Sequence, residues 1–255
     1  MNFVNLCNRI RIIFLVIRRL AVQSRSSQRS YFHLIQQMNF MGVGSVVIVL
    51  LTSCFIGMIF TFQVARELIY LQAVDLVGSI LTITFLRELS PVLTAVIVTG
   101  RIGSAYTAEI AAMQVTSQID VLYILRIDPI DYLIKPRITA CVIMLPLLNL
   151  ISLASSIVSS IFIATTLYSI EPVIFMSSSY GSVHLSDVFY SFLKTVVFGL
   201  LIALISCTWG LTTTGGSVNV GKSTTSSVVT ILITIFMVDF LLSFLMFHNS
   251  VSLVY

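Results

Sequence analysis

Residues 42–65 read GVGSVVIVLLTSCFIGMIFTFQVA and carry no charge over a length that can cross a lipid bilayer. A spanning α-helix needs about 20 mainly apolar residues. Four later stretches meet the same requirement, at residues 76–100, 138 to about 166, 188–210 and 228–247. The sequence therefore predicts an all-α integral membrane protein with five transmembrane helices.

The overall composition agrees with this fold class. The chain has 255 residues, of which 57% are hydrophobic and only 9% are charged, and its mean hydropathy is +1.04. Soluble domains carry about 25% charged residues, so these 14 basic and 10 acidic side chains could not cover a soluble surface of this size. The net charge of +4 is too small, in so apolar a chain, to indicate nucleic-acid binding.

Residues 1–40 are predicted to form a basic arm ahead of a transmembrane domain at 41–255. Apolar residues at positions 6, 10, 13, 17 and 20 recur at helical spacing, with Arg11, Arg18 and Arg19 on the opposite side. This pattern predicts an amphipathic helix lying in the membrane interface. Positive charge is typical of the inner side, so we expect the N-terminus inside and, after five crossings, the C-terminus outside.

The two longest polar connections receive different predictions. Small and apolar residues at helical spacing predict one short inner-surface helix over residues 104–125, which Asp128-Pro129 ends before the third span. The outer segment 171–187 contains the run SSSYG and is predicted to be an exposed loop.

The octapeptide GSVNVGKS, from Gly216 to Ser223, matches the phosphate-loop pattern G-x-x-x-x-G-K-[ST]. Such a loop works when a buried strand feeds it and a helix N-terminus follows, so that backbone N–H groups point at phosphates. Here apolar membrane segments lie on both sides. We therefore expect no nucleotide site, and interpret the match as a glycine-rich inner turn with Lys222 near the headgroups.

Four charged residues fall inside predicted spans: Arg87, Glu88 and Asp239 well inside, and Lys194 near one end of the fourth span. A charge near the bilayer centre costs about 2.5–3.5 kcal/mol on insertion scales, so such residues face protein or water. Arg87 and Glu88 either line a substrate path or form a structural ion pair, and Pro91, one turn on, loosens the helix beside them. Asp239 either relays protons or accepts hydrogen bonds from a neighbouring helix.

Catalytic and metal-binding patterns are missing from the sequence. The three histidines are isolated and the four cysteines show no short spacing, so no metal site is predicted. No Ser–His–Asp arrangement can be argued, because the polar residues fall at different membrane depths. We expect a chain without catalytic residues of its own, and not an enzyme.

Several short matches occur in order along the chain. They are LREL at 86–89, PV at 91–92, GRIGS at 100–104, AEI at 108–110, QID at 118–120, DP at 128–129, PR at 136–137, LP at 145–146, GG at 215–216, VGK at 220–222 and DF at 239–240. In these residues the chain resembles the MlaE family of ABC-transporter permeases, which move lipids in bacterial envelopes and plastids. It departs from the family pattern at Ser90, Gln114, Ser117 and Ser226.

The resemblance implies a permease subunit that moves phospholipid or a related lipid precursor. It implies two copies of this chain, a separate ABC ATPase that binds the ATP and magnesium, and an MCE-type lipid-binding protein. Lipid would lie with its headgroup near Arg87 and Glu88, and the substrate-path candidates are Arg87, Glu88 and Pro91. The residues expected to couple to the ATPase are Arg101, Glu109, Gln118, Asp120 and Asp128.

Two other functions stay open at this point: an ATP-independent carrier or channel, and a structural subunit of a larger membrane complex. Residue usage rich in Ile, Ser, Phe and Thr resembles the plastid-encoded red-algal members of the family. We therefore expect a multi-pass protein of the plastid envelope, with a bacterial inner membrane as the alternative.

Overall fold

The computed structural model describes the backbone of residues 28–251 and the side chains of residues 32–246. The predicted interfacial helix at residues 6–20 lies outside the described residues. Within the described range every regular element is helical, and no strand occurs there.

Nine α-helices follow one another through this range. They are α1 (Gln28–Tyr70), α2 (Val77–Thr84), α3 (Ser90–Val98), α4 (Ser104–Val115), α5 (Gln118–Ile124), α6 (Lys135–Tyr168), α7 (Pro172–Ser182), α8 (Leu185–Leu211) and α9 (Ser217–Val251). Wider π-helical turns at Phe85–Leu89 and Thr99–Gly103 join α2, α3 and α4 into one continuous rod.

Five of these helical stretches are long and apolar enough to span a membrane, which confirms the predicted fold class. They are Phe32–Tyr70, Val74–Val115, Ile130–Tyr168, Leu185–Leu211 and Ser217–Met246. The chain is thus a multi-pass membrane protein. Its orientation stays a prediction from charge, and below we call the end that carries α5 the inner end and the end that carries α7 the outer end.

The predicted inner-surface helix over residues 104–125 is wrong in extent. Its first half, α4, continues the second span into the bundle, where Tyr106 and Ile110 are fully buried. Thr107 Oγ1 lies 2.9 Å from Ser227 Oγ of α9, and the helix ends before Ser117, whose φ is +56°. The small and apolar residues at helical spacing therefore lie on a face that is buried against protein. Only α5 forms a separate helix at the inner end.

The predicted outer loop at residues 171–187 is also wrong, because most of it forms α7. Pro172 stands at the first turn, where a missing N–H costs nothing. Phe175 is buried, and Gly78 of α2 lies against its carbonyl. The serines hydrogen-bond back to carbonyls of their own helix, as Ser177 does to Ile174 at 2.9 Å. A serine-rich segment thus satisfies its hydroxyls without leaving the helix.

Small residues set the close helix contacts of the bundle. Gly57 of α1 packs directly on Ser156 and Ser159 of α6, and Gly199 of α8 packs on the Cys141 carbonyl. Small residues let membrane helices approach closely, and the packing gained this way stabilises their association. This packing holds α6 between α1 and α8, and so fixes the α8 side chains that form the site described next.

Candidate functional site

Lys194 of α8 lies at the centre of a charge cluster inside the bundle. Its side chain is 0% exposed, and its Nζ lies 3.0 Å from Glu88 Oε2 and 3.1 Å from Asp239 Oδ1. The contact with Asp239 Oδ1 is close enough for an ion pair, but its angle does not fit a hydrogen bond. One ammonium therefore connects the second span, α8 and α9.

Ser243, one turn after Asp239 on α9, completes this contact. It accepts a hydrogen bond of 2.7 Å from Lys194 Nζ and donates one of 2.9 Å to Glu88 Oε1. The hydroxyl thus bridges the two charged groups.

Arg87 pairs with a different acid. Its Nη2 lies 3.0 Å from Oδ1 of Asp187, which is buried in the first turn of α8. Sequence reasoning had assigned Asp187 to the outer loop. The adjacent residues Arg87 and Glu88 therefore do not pair with each other, and each is held by a separate partner on α8.

Pro91 explains how Lys194 gains its remaining ligand. A proline has no N–H, so Pro91 cannot donate to the carbonyl of Arg87 four residues earlier. Lys194 Nζ donates to that carbonyl at 2.9 Å instead. The proline that was predicted to loosen the helix thus leaves a backbone acceptor that the buried lysine uses.

The cluster has one open side. Glu88 and Arg87 side chains are 40% and 31% exposed, whereas Lys194 and Asp187 are almost fully covered. Lys194 lies nine residues into α8, roughly 14 Å from its outer end at 1.5 Å per residue. Charged atoms at that depth are too costly to face lipid tails. The open side must meet water, another protein surface or the polar part of a ligand.

The coupling candidates occupy the inner half and do not form one cluster. Arg101 Nη1 donates to Ser45 Oγ of α1 at 2.7 Å, and Gly44 makes room for its guanidinium. Glu109 Oε2 accepts from Arg137 Nη2 of α6 at 2.7 Å. Arg137 is buried, and its guanidinium carbon lies 5.3 Å from the centre of the Tyr106 ring. These two contacts hold the second span to α1 and to α6.

The other coupling candidates lie on or after α5. Gln118 and Asp120 are exposed, and Asp128 Oδ1 accepts from the Ile130 N–H at 3.0 Å, which starts the next helical turn. Four large apolar side chains are exposed on the same short segment: Val121, Tyr123, Ile124 and Leu125. An apolar group of this kind at the inner end is typical of a protein contact.

The phosphate-loop match lies at the turn into α9. Gly215 has a φ of +98°, and residues 217–223 of the motif are helical, with a helix and not a strand before them. The Ser223 hydroxyl is buried and lies 3.1 Å from the Trp209 carbonyl. A metal site is not indicated either. In the described part of the chain, no three histidine, cysteine or acidic side chains lie close enough together to hold a metal ion.

Sequence reasoning missed the two residues of α8 that hold the cluster. Lys194 was placed near one end of its span, and Asp187 in a loop. One signal in the sequence was a lysine inside an otherwise apolar helix. A second signal was the pair Asp239 and Ser243, which lie four residues apart on one face of α9.

Five spans around a buried charge cluster are typical of a membrane transport protein. The family described as Permease MlaE matches residues 34–245 of the chain. This match covers most of the sequence, so the chain belongs to the MlaE permease family.

Three relatives support this identification. The chain is 47% identical over 243 residues to the probable ABC transporter permease protein ycf63 of Pyropia yezoensis, covering 95% of this chain and 91% of the relative. It is 49% identical over 229 residues to the probable ABC transporter permease protein slr1045 of Synechocystis, covering 90% and 86%. It is also 44% identical over 216 residues to the chloroplastic protein trigalactosyldiacylglycerol 1 of Arabidopsis thaliana, covering 85% and 62%. The chain is an ABC-transporter permease subunit of this family.

Proposed function

We propose that this permease moves a phospholipid or a related lipid precursor, driven by ATP that a separate subunit hydrolyses. The observation that carries the proposal is the open side of the charge cluster, formed by Arg87 and Glu88. Few charges at depth, surrounded by apolar helix faces, suit an amphiphile better than a small ion. The headgroup would lie at Arg87 and Glu88, with the tails along the apolar faces, while Pro91 is buried behind them.

A relative's name favours a lipid cargo and a location. The Arabidopsis relative is named for trigalactosyldiacylglycerol, a glycerolipid, and is chloroplastic. We therefore propose the plastid envelope as the site of this chain, with a bacterial inner membrane as the alternative that the Synechocystis relative represents.

A second copy of the chain is the proposed cover for the cluster. α9 packs mainly on α8 and α4, and its other face exposes large apolar side chains such as Phe236, Phe240 and Phe244. Asp239 lies on this same helix, between Phe236 and Phe240. Two copies meeting along α9 would enclose Arg87 and Glu88 in a shared cavity, and an MCE-type protein would receive lipid at the outer end.

The ATPase is proposed to dock at α5, with ATP and magnesium bound on that partner. The exposed Gln118, Asp120 and apolar residues of α5 provide the contact, and Asp128 fixes the turn that follows. Because α2, α3 and α4 form one rod, a push on α5 would reach Arg87 and Glu88 in the outer third of that rod. Arg101 and Glu109 would fix the rod to α1 and α6 during this motion.

Family membership favours this proposal over an ATP-independent carrier, a channel or a structural subunit. The test is lipid transfer by the chain reconstituted with its ATPase and lipid-binding partners. We expect Arg87→Ala and Glu88→Ala to slow transfer, and Arg66→Ala and Glu67→Ala, which remove the same charges from the exposed end of α1, to leave it unchanged. Full-rate transfer by properly assembled Arg87→Ala and Glu88→Ala complexes would refute the headgroup role. Transfer that continues without the ATPase would support a carrier.

A further inference from the structure

An apolar cavity lies beside the charge cluster and takes no part in it. Its volume is about 240 Å³, and it is enclosed by the second span, α6, α7 and the start of α8. Leu86 and Val188 line it, while their neighbours Arg87 and Asp187 pair with each other. The cavity is therefore adjacent to the cluster but chemically separate from it.

The cavity lining is apolar because one face of α6 carries only large aliphatic side chains there. Leu150, Leu153, Ile157 and Ile161 recur every three or four residues and form one wall. Phe175 of α7 forms part of the roof. The hydroxyls at the edge already have partners, since Thr82 Oγ1 donates to Ser179 Oγ at 3.0 Å, and Ser179 donates to the Phe175 carbonyl at 2.8 Å. Neither of these two hydroxyls needs a polar ligand.

An open groove continues the cavity outward. This groove has a volume of about 690 Å³, follows the first turns of α8, and shares Leu150 and Val188 with the cavity. Both shared residues are partly exposed on the outside of the bundle. Tyr180 lines the cavity and is also exposed, as tyrosine is at membrane interfaces. The cavity is thus open to the surrounding membrane from the side.

The molecule that occupies the cavity can be inferred from the groups that surround a membrane helix. An engineered protein cavity of about 150 Å³ with a leucine, isoleucine and phenylalanine lining stays dry and binds benzene, so water does not fill a space of this kind. An unfilled void forfeits dispersion contacts on its lining. The abundant apolar group at the mouth is the acyl chain of a membrane lipid. We infer that the cavity and groove bind one acyl chain of a glycerolipid, inserted laterally between α6, α7 and α8.

This inference goes beyond the proposed function, because the site is lateral and lies outside the headgroup position at Arg87 and Glu88. It requires neither ATP nor lipid movement. A complex that binds lipid here and transports none would support the inference and refute the proposed function. A complex that transports lipid and binds none here would refute the inference and leave the proposed function supported.

The test uses the full chain in lipid nanodiscs with a phospholipid that carries a photoreactive diazirine near the end of one acyl chain. Adducts are mapped by peptide mass spectrometry. We expect several-fold more adducts on residues 150–161 and 175–188 than on Val47 and Phe55, whose side chains are 63% and 59% exposed on α1.

Variants of α6 make the test specific. Ile157→Trp fills the cavity and should reduce these adducts several-fold, whereas Val158→Trp, at the neighbouring outward-facing residue, should not. Leu153→Phe fills less of the space and replaces Ile157→Trp if that variant does not fold. Adducts no denser than on α1, or adducts unchanged when the cavity is filled, would each overturn the inference.

Discussion

The ammonium of Lys194 donates a hydrogen bond of 2.9 Å to the backbone carbonyl of Arg87, on a helix about one hundred residues away in sequence. Pro91 cannot use that carbonyl, and the two carboxylates of Glu88 and Asp239 lie at the same ammonium. The position of Lys194 is therefore determined by backbone and side-chain ligands together, and its removal affects three helices.

Replacing Lys194 by methionine should strongly destabilise the bundle. Methionine has a similar volume but leaves Glu88 and Asp239 without their cation. Breaking a buried pair costs about 3–5 kcal/mol, and we expect the lower end because Glu88 is 40% exposed. Thermal unfolding in detergent measures the loss. Lys222→Met, at an exposed lysine of α9, is the control, and equal unfolding temperatures for the two variants would contradict the prediction.

Exchanging the charges of Arg87 and Asp187 separates a structural pair from a cargo contact. Each single change should destabilise the chain, and the double variant Arg87→Asp with Asp187→Arg should recover much of the stability. If Arg87 also binds the headgroup, the double variant still transfers lipid roughly tenfold more slowly, which is a loss of about 1.4 kcal/mol of transition-state stabilisation. Recovery of both stability and transfer would restrict Arg87 to a structural role.

The fold was predictable where local composition decides it. The five spans follow from long apolar runs, and each occurs where the sequence predicts one. The errors occur at the ends, where α4 and α7 carry alanine, serine and threonine. In α4 such residues look solvent-exposed in sequence, but Thr107 is buried between α8 and α9. In α7 the serines stay exposed or half-buried, and the segment is nevertheless helical. Composition alone does not distinguish burial in protein from exposure at the interface.

The charge cluster was predictable only in part. Arg87, Glu88 and Asp239 are conspicuous because they interrupt apolar runs. Lys194 also interrupts an apolar run, but its partners could not be assigned, since it lies 106 residues from Glu88 in sequence and meets it only through helix packing. A single sequence carries no information on which intramembrane charges meet.

Neutralising Glu109 should loosen the inner half of the bundle. Glu109→Gln leaves the buried guanidinium of Arg137 without its counter-charge, at a cost of about 1–3 kcal/mol. Combining it with Arg137→Met should recover part of this loss, because removing both partners leaves no unpaired charge. Detergent unfolding measures all three variants, with Glu67→Gln on α1 as control. A double variant that loses as much as the sum of the single ones would contradict the prediction.

An acidic residue at Ile124 should block the ATPase without affecting the fold. Ile124 is 80% exposed, so Ile124→Asp should change the unfolding free energy by no more than about 0.5 kcal/mol. A central apolar contact of an interface contributes about 2 kcal/mol or more, so copurification of the ATPase should fall strongly. Leu71→Asp, exposed at the outer end, is the matched control. Normal ATPase recovery with Ile124→Asp would place the docking surface elsewhere.

Adding a methyl group at Gly57 should separate α1 from α6. A Cβ built there would lie 2.7 Å from the Ser156 carbonyl oxygen and 2.9 Å from the Ser156 Cα, and these are backbone atoms that cannot turn away. Forcing extra volume into a packed contact costs about 1–3 kcal/mol. Gly57→Ala should therefore lower the unfolding temperature in detergent.

The control for this prediction is Gly100→Ala. A Cβ at Gly100 meets no atom within 4 Å, and alanine is favoured over glycine in a helix by about 0.5–1 kcal/mol. The same substitution should then raise or preserve stability at Gly100 and lower it at Gly57. Opposite signs would identify the contact between α1 and α6 as the cause, because helix propensity acts alike at both positions. A loss at Gly100 as large as at Gly57 would mean that a surface outside the described contacts, such as one facing a second copy, covers Gly100.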